Sequence, residues 1–214
     1  MEISEEVAVR PTGSAANRLL EAAIESFASV GYHASTTRDI ASRAGMSPAA
    51  VYVHFPSKLD LLRTISRLGH EDARHCLEEG LAVEGTHRER VANGIRVFAQ
   101  WHAENQTIAR VVQYEYRALP VEDRQEIKDL RRMMQTAVEH GVRRGVETGW
   151  FEVDDIAGAA LAAVSLCVDI ARWYSPHGTR SPVELGDLYA ELVLRMLGAQ
   201  SHAASESGAA TRLA

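Results

Sequence analysis

Apolar residues along the chain recur at spacings of three and four and almost never alternate, a pattern that predicts helices and no sheet. The first stripe is Leu20, Ala23, Ile24 and Phe27, with Ser14 placed to cap its helix and Gly31 to end it. A second, short helix is capped by Thr36 or Thr37, runs through Ala44 and stops at Gly45. Ser47 caps a third, with Pro48 in the first turn, where a missing N–H costs nothing. That helix ends near Phe55 and Pro56. Ser57 caps a long fourth helix from Lys58 to about Leu81, with Leu59, Leu62 and Ile65 inward. Longer helices follow over about His87 to Asn105, Thr107 to Leu119 and Val121 to Glu147, the last ended by Gly149. The next, Asp154 to Tyr174, is capped by Asp154 or Asp155 and stopped by Pro176. The last, Pro182 to Leu197, carries Leu185, Leu188, Leu192 and Met196 on one face. The expectation is an all-α chain of about nine helices, flanked by a disordered arm over 1–13 and a small, polar, disordered tail over 199–214.

Only Gly-Met-Ser separates the second and third helices, and Gly45 can take the left-handed backbone of a sharp reversal. Ile40, Ala41 and Ala44 face Val51 and Phe55, and Leu20, Ile24 and Phe27 can close a three-helix core beneath them. This is the pattern of a helix-turn-helix, whose second helix presents its exposed face to the major groove. A helical corner in a larger α-protein is the plainer alternative. Residues 14–57 are thus expected to bind DNA, and 58–198 to form a helical ligand-binding and dimerisation domain.

Charge sharpens this picture. The net charge is -6, which alone argues against nucleic acid. From Ser26 to Lys58, however, the ionised residues are Arg38, Asp39, Arg43 and Lys58, a locally positive segment. Thr36 and Thr37 begin a helix, where free N–H groups favour phosphate, and Tyr52, His54 and Lys58 can reach phosphates on the other side. Ser47, Pro48, Ala49 and Val53 would face base edges; small and apolar, they suit thymine methyls and shape readout.

The stretch SVGYHASTTRDIASRAGMSPAAVYVHFPSKLDLL strongly resembles the DNA-binding head of the TetR family of bacterial repressors. The matching residues are Phe27, Gly31, Thr36, Arg38, Asp39, Ile40, Ala41, Ala44, Gly45, Ser47, Tyr52, His54, Phe55, Ser57 and Lys58. The resemblance implies phosphate contacts from Thr36, Tyr52 and Lys58 and base reading from Ser47 to Val53. The chain departs from the family pattern at Pro48 and Val53, which leaves the operator sequence open. The C-terminal half, through ARWYSPHGTRSPVEL and YAELVLRMLG, is similar to a TetR subgroup that responds to acyl-CoA thioesters. A homodimer on a near-palindromic duplex is implied, released by a small apolar or acyl-CoA-type ligand.

The last two helices are the expected dimer surface, one rich in Ala and Gly and the other carrying a leucine stripe; ordinary packing within one chain is the alternative. Large residues in the middle helices suggest a ligand wall of Trp101, Tyr114, Tyr116, Arg117, Met134, Cys167, Arg172 and Trp173, although such residues also build cores. Arg131, Arg132, Arg143, Arg144 and Arg172 could meet the phosphates of a CoA ester or form a solvated face.

Other chemistry is not called for. No apolar run reaches the ~18 residues of a membrane span, and the acidic N-terminus lacks an export pattern, so a cytoplasmic chain without membrane contact is expected. Cys76 and Cys167 stand alone, and no cofactor is expected. His70 and His75 in HEDARH lie five apart, ~140° around a helix, so they miss the zinc-binding geometry of a metalloprotease. The different-class alternative is a helical carrier or enzyme without sequence-specific DNA binding.

Overall fold

The computed structural model describes residues 15–199. Nine α-helices and one 3₁₀ turn make up the regular structure there, with no strand among the described residues. The expected arm, the capping Ser14 and all of the expected tail beyond Ala199 lie outside the described residues.

Helix α1 covers Ala15–Ala34, and its regular path breaks at Gly31, where φ is 82°. Helices α2 (Thr37–Arg43) and α3 (Pro48–His54) are each two turns long. Thr36 caps α2 by accepting from the Asp39 N–H at 3.1 Å, and Ser47 caps α3 by accepting from the Ala50 N–H at 3.4 Å. Between them the Met46 N–H donates to Ala41 O at 2.8 Å and the Gly45 N–H to Ser42 O at 3.1 Å. This pairing of the last carbonyls requires a left-handed residue, and Gly45 supplies it at φ 67°. Leu20, Ile24, Phe27, Ile40, Ala41, Val51 and Phe55 are buried together under the turn.

Helix α4 (Lys58–Leu81) leaves this unit without a linker, capped by Ser57. The body follows as α5 (His87–Glu104), α6 (Gln106–Tyr114), α7 (Val121–Glu147), α8 (Ile156–Trp173) and α9 (Pro182–Met196). Helix α6 is shorter than the sequence pattern suggests. The chain tightens into a 3₁₀ turn over Glu115–Ala118, and Leu119 is extended at ψ 142° because a residue before proline is excluded from helix. That turn and α6 pack against α1, so the head sits directly on the body.

Helices α4, α5, α7 and α8 enclose a core that includes Leu62, Ile65, Leu77, Ile95, Phe98, Val138 and Ile170. Helix α9 lies chiefly on α5, so close at Gly186 that a Cβ there would sit 2.7 Å from the Arg96 carbonyl oxygen. The apolar stripe of α9 therefore divides. Leu185 is buried toward α5, while Leu192 and Met196 face outward beside the equally exposed Val183. Helix α8 likewise exposes Leu161, Leu166 and Trp173. It departs from the expectation that no run is long and apolar enough to cross a membrane. Its 18 residues average a hydropathy of 1.6, because Ala and Gly replace the polar residues of an ordinary surface helix.

Candidate nucleic-acid interface and ligand cavity

The outer face of the head is built from side chains that the three-helix core leaves out. Tyr52 and Val53 are 56% and 78% exposed, large values for residues of their type. Ser47, Pro48, Ala49 and His54 stand exposed on the same short helix. The Tyr52 hydroxyl and Thr37 Oγ1 share a hydrogen bond of 3.1 Å, which joins the two short helices across their outer edge. Thr36 also donates to Asp39 Oδ2 at 2.6 Å, so its hydroxyl is already engaged in the cap. Arg43 pairs with Glu25 at 3.0 Å, whereas Arg38 is exposed with no carboxylate in reach among the described residues.

Lys58 has a second set of partners. Its Nζ donates to Tyr32 O at 2.6 Å, Ser35 O at 2.7 Å and His33 O at 3.4 Å, and lies 4.4 Å from the Tyr32 ring centroid. Those carbonyls end α1 beyond the Gly31 break, where no helical donor remains for them. The first residue of α4 therefore ties α4 to the head. A lysine in a sequence motif gives no sign of this, because the acceptors are backbone atoms brought in by the fold.

The same α4 lines a cavity of about 370 Å³ in the body. Gly69, His70 and Ala73 come from α4, Trp101 and His102 from α5, Ala109, Val112 and Gln113 from α6. Arg131, Met134 and Gln135 come from α7, and Leu161, Val164, Ser165, Val168 and Asp169 from α8. The volume is that of a small-molecule site, apolar with a few polar groups.

Two imidazoles are sealed in this wall. His70 Nδ1 lies 2.7 Å from Ser66 O and His102 Nδ1 lies 2.8 Å from Phe98 O. A carbonyl only accepts, so each Nδ1 carries the proton. Burial pushes both rings down to about 4, far below the ordinary histidine value, and they are neutral at pH 7. His70 Nε2 accepts from Arg131 Nε at 3.0 Å, and the Arg131 guanidinium lies 4.7 Å from the Tyr116 ring centroid.

Of the residues expected to form a ligand wall, Trp101 and Met134 line this cavity. Tyr116 stands behind it, supporting Arg131. Cys167 is fully buried on the inner side of α8. Tyr114, Arg117, Arg172 and Trp173 are exposed outside it, because the tightened turn after α6 and the outer face of α8 carry them away. Among the arginines weighed for phosphate, Arg132, Arg143, Arg144 and Arg172 pair with nearby carboxylates on their own helices. The wall residues outside that expectation include the small and aliphatic Val112, Leu161, Val164 and Val168 and the polar His70, His102, Gln113, Gln135, Ser165 and Asp169. A polar residue on an otherwise inward stripe is the signal that would have found His70 and His102. His75 points away, exposed and 3.0 Å from Glu79, as the five-residue spacing requires. No metal-binding cluster occurs among the described residues.

Comparison with known proteins bears on both regions. Residues 19–65 match the family model for bacterial regulatory proteins of the tetR family, and residues 84–197 match the tetracyclin repressor-like C-terminal domain. A bacterial regulatory protein in the tetR family from Rhodococcus RHA1 has a TM-score of 0.83 and 38% identity, over 89% of this chain and 100% of that one. The fatty acid metabolism regulator protein of Bacillus subtilis is 26% identical over 132 residues, 62% of this chain and 68% of that protein. The HTH-type transcriptional repressor KstR2 of Mycolicibacterium smegmatis is 27% identical over 185 residues, 83% of this chain and 88% of that protein.

Proposed function

The chain belongs to the TetR family of bacterial regulators, and from that premise we propose how this ligand-responsive, DNA-binding repressor works. It acts in the cytoplasm as a homodimer, joined through the outward faces of α8 and α9. Leu166, Trp173, Val183, Leu192 and Met196 are large apolar residues left uncovered on those two helices, which supports that assignment. Each head places α3 in a major groove of a near-palindromic operator. Ser47, Pro48, Ala49 and Val53 read base edges and shape, while Tyr52, His54, Thr37 and Arg38 hold phosphates. Thr36 serves the interface through its cap, and Lys58 through its grip on α1.

The ligand is a small apolar molecule of acyl type, held in the cavity of the body. The apolar wall supports this, and so does the likeness to a fatty acid metabolism regulator. The observation that carries the mechanism is the path of α4. One rigid helix begins at the Lys58 tie to the head and passes Gly69, His70 and Ala73 in the cavity wall. A ligand that prefers a shifted α4 moves the two heads off the groove spacing. Release requires a preference of a few kcal/mol between the two states.

Selection of duplexes from a random pool, followed by fluorescence anisotropy, tests this reading. The expected outcome is a two-fold symmetric site bound at nanomolar-range protein, weakened steeply by salt and released by one of a series of short- and medium-chain acids or their thioesters. Failure to enrich any sequence would leave the chain a helical carrier.

A further inference from the structure

The geometry points to Arg131 as the receptor for a carboxylate, so that the cavity takes a compact apolar acid in its free form rather than as a thioester. This rests on reading the cavity as the ligand site. Two residues of the wall carry a formal charge, Arg131 and Asp169. Asp169 is already neutralised: Arg172 donates to it through Nε at 2.8 Å and through a terminal nitrogen at 2.9 Å. Arg131 has no carboxylate in reach among the described residues. An apolar cavity is thus left with one uncompensated cation.

The guanidinium is also held in place. Its Nε donates to His70 Nε2, and its central carbon lies 4.7 Å from the centroid of the Tyr116 ring, whose hydroxyl donates to Arg124 O at 3.3 Å. The two terminal nitrogens have no hydrogen-bond partner among the described residues, and neither is sealed from solvent. They form the fork that meets a carboxylate with two parallel bonds. His70 cannot take over this role, since its Nδ1 proton is given to Ser66 O and its Nε2 is occupied. Because Nε is already used, the head group docks end-on, and the tail runs toward Met134, Val164 and Val168.

Size agrees. At about 30 Å³ per water-sized group, 370 Å³ holds about a dozen non-hydrogen atoms, a carboxylic acid of about ten carbons. The fork is also one hydrogen bond from α4 through His70, which places the head group beside the lever.

Titration calorimetry on the full-length dimer with decanoate, methyl decanoate and decanoyl-CoA tests the inference. Decanoate is expected to bind at least tenfold tighter than either ester. Arg131→Met is expected to abolish that preference, and Arg131→Lys to restore part of it, because lysine supplies a charge without the fork. A circular dichroism spectrum and dimer mass of Arg131→Met equal to those of the parent show that the fold is intact. Equal binding of acid and methyl ester, tightest binding of the thioester, or a preference that survives Arg131→Met would overturn the assignment. Those outcomes leave operator binding untouched, whereas failure of the regulator reading would appear as a duplex that no form of the protein retains.

Discussion

Lowering the pH from 7 to 5 should cost this protein stability by an amount that follows from two buried rings. His70 and His102 are 6% and 5% exposed, and burial holds each at about 4 in the folded chain. In the unfolded chain both take protons near pH 6.5. The stabilisation is therefore complete above about pH 6.5 and is lost as pH falls toward 4, at about 1.4 kcal/mol per pH unit for each ring. From pH 7 to 5 that is about 2 kcal/mol each and about 4 kcal/mol together. Asp72 acts in the opposite sense. Burial raises its carboxyl to about 6, so the folded chain takes that proton first and gains stability as pH falls below 6. Half-exposed, Asp72 is screened by water and offsets less than about 1 kcal/mol. The net loss is about 3 kcal/mol, a large part of the ~5–15 kcal/mol that holds an ordinary domain. Urea unfolding followed by circular dichroism, at fixed protein concentration and without ligand, reads this at pH 7, 6 and 5. His102→Gln removes one titrating ring, and its loss over the same range should shrink by about 2 kcal/mol. A stability that stays level from pH 7 to 5, or a His102→Gln slope equal to that of the parent, refutes the reasoning.

Three substitutions address the other parts of the account. Tyr52→Ala removes an exposed ring and its bond to Thr37, and should weaken operator binding about fivefold or more, an interface-contact loss of about 1–3 kcal/mol, with the dimer mass unchanged; an unchanged affinity would show that the head face is misassigned. Lys58→Met deletes a charged donor to three carbonyls and should lower stability by about 2 kcal/mol in denaturant titrations, together with operator affinity. Loss of neither would remove Lys58 from the tie between head and body. Leu192→Asp places a charge on the outward face of α9 and should convert the dimer to monomer in sedimentation equilibrium; an intact dimer would move the interface elsewhere.

The parts of the fold legible in the sequence are those fixed by local chemistry. Ser47 before Pro48, Ser57 before α4 and the glycine of the turn each announce a boundary, because a cap or a left-handed residue acts within four positions of its own place. The apolar stripes of α1 and α4 are equally plain, since helical spacing itself defines a buried face. Legibility fades where distant segments decide. The terminus of α6 depends on Pro120 and on packing against α1, so a pattern that continues helical to Leu119 overruns it. Trp101 and Met134 reach the cavity, whereas Tyr114 and Trp173, equally bulky, are turned outward by the elements that carry them. His70 and His102 sit on inward stripes among apolar residues, and only the fold reveals that a cavity lies beside them. Lys58 has the motif position of a phosphate contact, yet its partners are carbonyls more than twenty residues upstream.

The central claim is that α4 carries the state of the cavity to the heads, and the distance between the two heads reports it most directly. A nitroxide at Arg18→Cys on the exposed side of α1 labels each head once. The native thiols should not compete, since burial pushes Cys76 up to about 12 and raises Cys167 further. Double electron–electron resonance on the dimer should give one narrow distance with operator bound, and a distribution displaced by several ångströms once decanoate replaces the duplex. Superimposable distributions in the two states, with the ligand demonstrably bound, would contradict the account.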